Sequence, residues 1–173
     1  MKKFNIFLSY SHEDKEIVGP IFSILKLASE KIFLDQKVIK PGDEWEVVLA
    51  SALENMKTLI LFWCAHSSAS DNVRKEYSYA LANSKKIVPV LLDDTPVPNN
   101  ISQFQWIDYS KMLHPFHDNR DFYLNPKFNI PGPEDHYHAG SKYTAPLNNY
   151  LYLLSHKQFM KEIQTMAKLV FEE

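Results

Sequence analysis

Short stretches in which almost every residue is apolar alternate along the chain with longer stretches in which apolar residues return every three or four positions. Phe4-Asn5-Ile6-Phe7-Leu8-Ser9 reads as a strand covered on both faces. Ser11 is placed to cap the helix that follows, whose buried face is marked by Ile17, Ile21, Leu25 and Ala28. Lys31 to Asp35 is a second strand, and Gln36 to Asp43 is a loop with a Pro41-Gly42 turn. Asp43 and Glu46 have the spacing of a capping box, ahead of a helical stripe of Trp45, Val48, Leu49, Ala52, Leu53 and Met56. Thr58 to Cys64 is apolar after its first residue and is expected to be the central strand. Ala65 to Ser70 reads as a small-residue loop, and Ser70-Asp71 opens a helix to about Ser84. Ile87 to Leu92 is a fourth strand, in which Pro89 predicts an edge-facing or bulged position, and Gln105 to Asp108 is a short fifth. This alternation predicts an α/β fold with a parallel sheet and right-handed crossovers.

The pattern lapses at residues 113–149, which hold five of the ten prolines and four of the seven histidines and lack a helical period. The stretch is expected to be a lid or a partner-binding excursion, its aromatic residues packed back on the domain. His114, His117, His136 and His138 could supply imidazoles to zinc, but Pro115 and the missing helix leave them without a defined geometry, so no metal ligand is assigned. A last helix carries Phe159, Ile163, Met166 and Val170 on one face. All 173 residues are read as one domain, an ordinary size for a single core.

Composition narrows the function classes. A net charge of −2 and a pI near 6.4 exclude a bulk basic nucleic-acid binder. No apolar run approaches the ~20 residues of a membrane helix, and the apolar start is too short for a signal peptide, so a cytoplasmic protein is expected. The single cysteine, Cys64, precludes an internal disulfide and reads as a small core residue without an activating partner. The four glycines form neither a dinucleotide-binding loop nor a P-loop.

In open parallel sheets ligands bind beyond the carboxyl ends of the strands, where strand order reverses. With the order 2-1-3-4-5 the crevice lies between the first and third strands. It would gather Ser9, Tyr10 and Ser11 with Trp63 to Ser68, flanked by Asp35 and the Gln36–Asp43 loop. Glu76 lies six residues beyond Ser70, about 9 Å along its helix, within reach of that crevice. Plainer readings exist for each: a solvated charge for Glu76, strand closure for Tyr10, core packing for Trp45 and a turn cap for Asp35.

The segment from Phe4 to Asp14 resembles the first signature box of TIR domains, an F-x-x-F-(I/L)-S-Y-S-x-x-D pattern. Phe33-Leu34-Asp35 with Pro41-Gly42-Asp43 looks like the second box and its BB loop. Ser67 to Glu76 is similar to the segment S-x-W-C-x-x-E that ends in the family's catalytic glutamate, with Asn72 in place of the tryptophan and Val73 of the cysteine. The resemblance covers about residues 3–110 and the last helix. It implies a flavodoxin-like fold and one of two functions. One is cleavage of NAD+ at the nicotinamide–ribose bond by an enzyme of the prokaryotic type, as nucleosidase or cyclase, in antiphage signalling through a separate effector. The other is a non-catalytic module that assembles through TIR–TIR contacts. It places catalysis on Glu76, substrate binding on Ser9, Tyr10, Ser11, Asp35, Trp45, Ser70 and Asn72, and assembly on Lys40, Pro41, Gly42 and Asp43. NAD+ is then substrate, with no cofactor, and neither nucleic acid nor membrane is a partner.

Overall fold

In a computed structural model, which describes residues 5–28, 32–33 and 44–118, five parallel strands form one sheet in the order β2-β1-β3-β4-β5. The strands are β1 (Ile6–Ser9), β2 (Ile32–Phe33), β3 (Thr58–Trp63), β4 (Lys86–Leu91) and β5 (Ile107–Asp108). The helices are α1 (Lys15–Ala28), α2 (Trp45–Asn55), α3 (Ala65–Ala69), α4 (Asp71–Ala82) and α5 (Ser110–Asp118). β3 is central as expected, fully buried and paired with β1 from Ile6↔Thr58 to Ser9↔Leu61 and with β4 from Thr58↔Lys86 to Trp63↔Leu91. This is the flavodoxin-like arrangement, with the sheet flanked by helices.

Side chains alternate across a strand, so the continuous apolar runs supply two cores. Phe7, Leu59, Leu61, Trp63 and Ile87 pack with Ala52 and Met56 of α2 and Val73, Tyr77 and Ala80 of α4. The alternate positions Ile6, Leu8, Ile60, Phe62, Val88 and Val90 are also buried, on the other face. Right-handed crossovers stepping in opposite directions from β1 and β3 put α1 and α4 on opposite faces.

Pro89 has the predicted edge-facing character. The amides of Lys86 and Leu92 bond to β3 (Lys57 and Trp63 carbonyls, 3.1 and 2.8 Å), so odd positions of β4 face the other way. There, pairing with β5 begins only at Val90↔Ile107, and the donor that proline lacks has no ladder partner to lose.

The structure corrects the sequence reading at three elements. The α2 N-cap is Glu44, without a side-chain cap bond, so the Asp43–Glu46 capping box does not hold. Ala65 to Ala69 is a short helix rather than a loop, capped by Cys64 in a reciprocal arrangement with Ser67 (Cys64 N–H to Ser67 Oγ, 2.7 Å). The stretch beginning at residue 113 does contain a helix, since α5 runs through Pro115 to Asp118. It is anchored by buried Leu113, whose amide bonds to the Tyr109 carbonyl at 3.1 Å, and by His117, hydrogen-bonded to the Leu92 carbonyl at 2.9 Å. The rest of that excursion and the last helix lie outside the described residues.

Candidate functional site

The carboxyl edge of the sheet carries two polar clusters, one on each face. Ser9 ends β1 two residues after Phe7, so its side chain is on the α2/α4 face and 1% of the residue is exposed. Its hydroxyl donates to Oε2 of Glu76 at 2.5 Å. Glu76 sits in the second turn of α4, half-buried, one residue before the buried Tyr77. Tyr77 meets Trp63 edge-on, with ring centroids 6.2 Å apart, and Trp63 Nε1 donates to the Pro96 carbonyl at 3.1 Å. The carboxylate therefore projects from a turn fixed by aromatic packing and is held by a buried hydroxyl. A carboxylate oriented in this way is the kind of group that stabilises a developing positive charge.

The other expected site residues are distributed unevenly. Tyr10 is buried, its ring 5.7 Å from that of His12. Ser11 caps a 3-10 turn, His12–Asp14, accepting from the Glu13 amide at 3.4 Å. Ser70 caps α4, its hydroxyl accepting from the Val73 amide at 3.3 Å, so both hydroxyls carry a structural bond. Asn72 is exposed on the first turn of α4. Trp45 is the first residue of α2. Asp35, Lys40, Pro41, Gly42 and Asp43 lie outside the described residues.

The second cluster escaped the sequence reading. Cys64 has extended backbone dihedrals that continue the alternation past Trp63, so its sulfur is on the α1 face, and it does have a partner. Its thiol donates to Oδ2 of Asp14 at 2.9 Å, while Oδ1 of Asp14 is 2.9 Å from His66 Nδ1. Burial, then the neighbouring Asp14 carboxylate, push the thiol up to about 12, so it is a proton-bearing donor rather than a nucleophile. Beside it opens a cavity of about 330 Å³ whose wall includes Asp93, Asp94, His114, His117 and Asp118. Burial raises the Asp93 carboxyl, but hydrogen bonds from Thr95 and the Ala65 amide, with His117 nearby, outweigh it and hold the group below its ordinary value. A Cys-x-His pair at a strand end was the one local signal, and its partner stands 50 residues earlier in the chain.

A five-stranded parallel sheet in this order, with a serine–carboxylate pair at its switch point, defines a doubly wound α/β domain. The sequence matches the TIR domain family over residues 6–122, and the chain belongs to that family. Among solved structures it resembles the TIR domain of the Toll-related receptor TRR-2 from Hydra magnipapillata. The two are 21% identical with a TM-score of 0.54, over 69% of this chain and 95% of that one, a likeness of fold. No curated protein is similar enough to count as a relative. TIR domains serve in signalling or as scaffolds and associate through TIR–TIR contacts, and some of them cleave NAD+. Among the described residues no helix is long and apolar enough to cross a membrane.

Proposed function

We propose that this TIR domain is an NAD+ nucleosidase or cyclase of the prokaryotic type, with Glu76 as its catalytic carboxylate. The observation that carries the reading is the bond from buried Ser9 to Glu76, made across 67 residues at the switch point of the sheet. Breaking the nicotinamide–ribose bond releases a neutral base and leaves an oxocarbenium-like ribose. An oriented carboxylate stabilises that cation, and the leaving group needs no strong general acid, so one glutamate suffices. Attack by water gives ADP-ribose and a proton; attack by a group of the same nucleotide gives a cyclic product. Either product would act as a cytoplasmic signal read by a separate effector, in antiphage defence.

The scaffold reading is favoured by a different observation. Val47, 52% exposed, presents an apolar side chain on the first turn of α2, directly after the loop assigned to assembly. Self-association through Lys40 to Asp43 and this turn fits either an obligate assembly of the enzyme or a silent module. The deciding experiment is chromatographic analysis of NAD+ incubated with the purified protein and its Glu76→Gln variant. Glu76→Gln keeps the size and removes the charge, and turnover should fall at least about 10²-fold with the fold intact. Near-normal turnover by well-folded Glu76→Gln removes the catalytic assignment.

A further inference from the structure

On the face of the sheet opposite Glu76, we propose that Asp14, Cys64 and His66 bind one divalent transition-metal ion of the zinc type, with the fourth coordination position open to the adjoining cavity. The donor set is the first argument. A thiolate, an imidazole and a carboxylate suit zinc, whereas magnesium and calcium take oxygen ligands.

Geometry is the second argument. One atom from each of the three side chains lies within 4.8 Å of the others, and the two hydrogen bonds at Asp14 are 2.9 Å long. Tetrahedral zinc, with bonds of about 2.3 Å to sulfur and 2.0–2.2 Å to nitrogen or oxygen, holds its ligand atoms roughly 3.3–3.7 Å apart. The cluster brackets that spacing and closes on an ion by small side-chain rotations. Its frame is already rigid: Asp14 and Cys64 are each 1% exposed, and the reciprocal Cys64–Ser67 cap fixes the turn that sets Cys64 and His66 two residues apart. The Ser67 amide approaches Cys64 Sγ at 3.5 Å, an outer bond that suits a thiolate. The His66 side chain, 45% exposed, stands at the entrance.

Charge is the third argument. The described residues lining the cavity include the carboxylates of Asp14, Asp93, Asp94 and Asp118, an acidic wall that favours a cation. Binding is balanced at the atoms. The thiol S–H bond breaks, a metal–sulfur bond forms, and the proton passes to buffer. His66 coordinates through Nδ1 as a neutral imidazole, and Asp14 supplies one oxygen. Two positive charges then meet two negative ones, leaving a neutral buried centre that ties the turn after β1 to the end of β3.

The test uses the full chain, stripped with chelator and titrated with Zn²⁺ by calorimetry and with Co²⁺ by absorption. The proposal expects one ion per chain, a thiolate-to-cobalt charge-transfer band, tetrahedral visible bands, and a rise in Tm with Zn²⁺. Cys64→Ser should abolish the charge-transfer band. His66→Ala, a change at a part-exposed position that leaves the core intact, should weaken Zn²⁺ binding at least about tenfold. The double variant His136→Ala/His138→Ala should leave all of these unchanged. Unaltered stoichiometry and affinity in both Cys64→Ser and His66→Ala would overturn the site. So would cobalt binding without a thiolate band, binding lost only with His136 and His138, or the absence of saturable binding by the folded chain.

Discussion

If Ser9 matters to catalysis because it holds Glu76, removing both should cost little more than removing Glu76 alone. Ser9→Ala deletes one oxygen from a 1% exposed position on β1, and the remaining methyl occupies space the side chain already filled. What is lost is a 2.5 Å hydrogen bond to a carboxylate. A bond to a charged group contributes about 1.5–3 kcal/mol, or roughly 10- to 150-fold at about 1.4 kcal/mol per decade. Because Glu76 is half-buried and water can partly replace the hydroxyl, the lower end applies, about tenfold in kcat/KM. In the Glu76→Gln background the charge that Ser9 orients is gone, and the same substitution should change the residual rate by less than about twofold. The assay is nicotinamide release for the wild type, both single variants and the double variant, with folding checked by circular dichroism. Equal fractional losses from Ser9→Ala in both backgrounds would show that Ser9 acts independently of Glu76 and refute the coupling.

Three further outcomes concern stability. Ser84 holds the left-handed position after α4, with φ of 50°, while the Lys85 amide bonds to the Ala80 carbonyl at 2.9 Å and that of Ser84 to the Leu81 carbonyl at 3.2 Å. Relief of about 1–2 kcal/mol of left-handed strain, less about 0.5–1 kcal/mol for a freer unfolded chain, makes Ser84→Gly stabilising by about 0.5–1 kcal/mol in urea unfolding. Trp63→Ala should destabilise by about 3–5 kcal/mol, through the lost packing on Tyr77 and the bond to Pro96, whereas Trp63→Phe should cost about 1 kcal/mol. The depressed Asp93 carboxyl contributes stability that is present above its ordinary value of 3.8 and is lost as pH falls below it, because the unfolded chain takes up the proton first. Asp93→Asn should lower stability at neutral pH by about 1 kcal/mol and flatten the acid limb of a pH–Tm profile.

The strands and long helices were legible because their signals are local. A run such as Thr58 to Trp63 has nowhere to go but the middle of a sheet, and the spacing from Val48 to Met56 fits only a helix. Strand order and the switch-point rule point Ser9 and Glu76 toward the same carboxyl edge of the sheet, whereas the bond between them needed the fold. Local rules failed where a residue acted outside its usual part. Cysteine is not a customary helix cap, so Ala65 to Ala69 read as a loop, and Pro115 masked a helix that tertiary anchors at Leu113 and His117 hold in place.

The Asp14–Cys64–His66 cluster was beyond reach for a different reason. Its members come from two distant places, the turn after β1 and the turn that ends β3, and their meeting depends on which face of the sheet each side chain takes. Alternation assigns faces only relative to the neighbours within one strand; the sheet's pairing register and the handedness of its crossovers decide which faces coincide. The sequence alone determined the order of elements, their apolar faces and the residues capable of chemistry. The tertiary structure alone decided that two polar clusters share one edge of the sheet and stand on opposite sides of it, because that relation exists only once the strands are aligned.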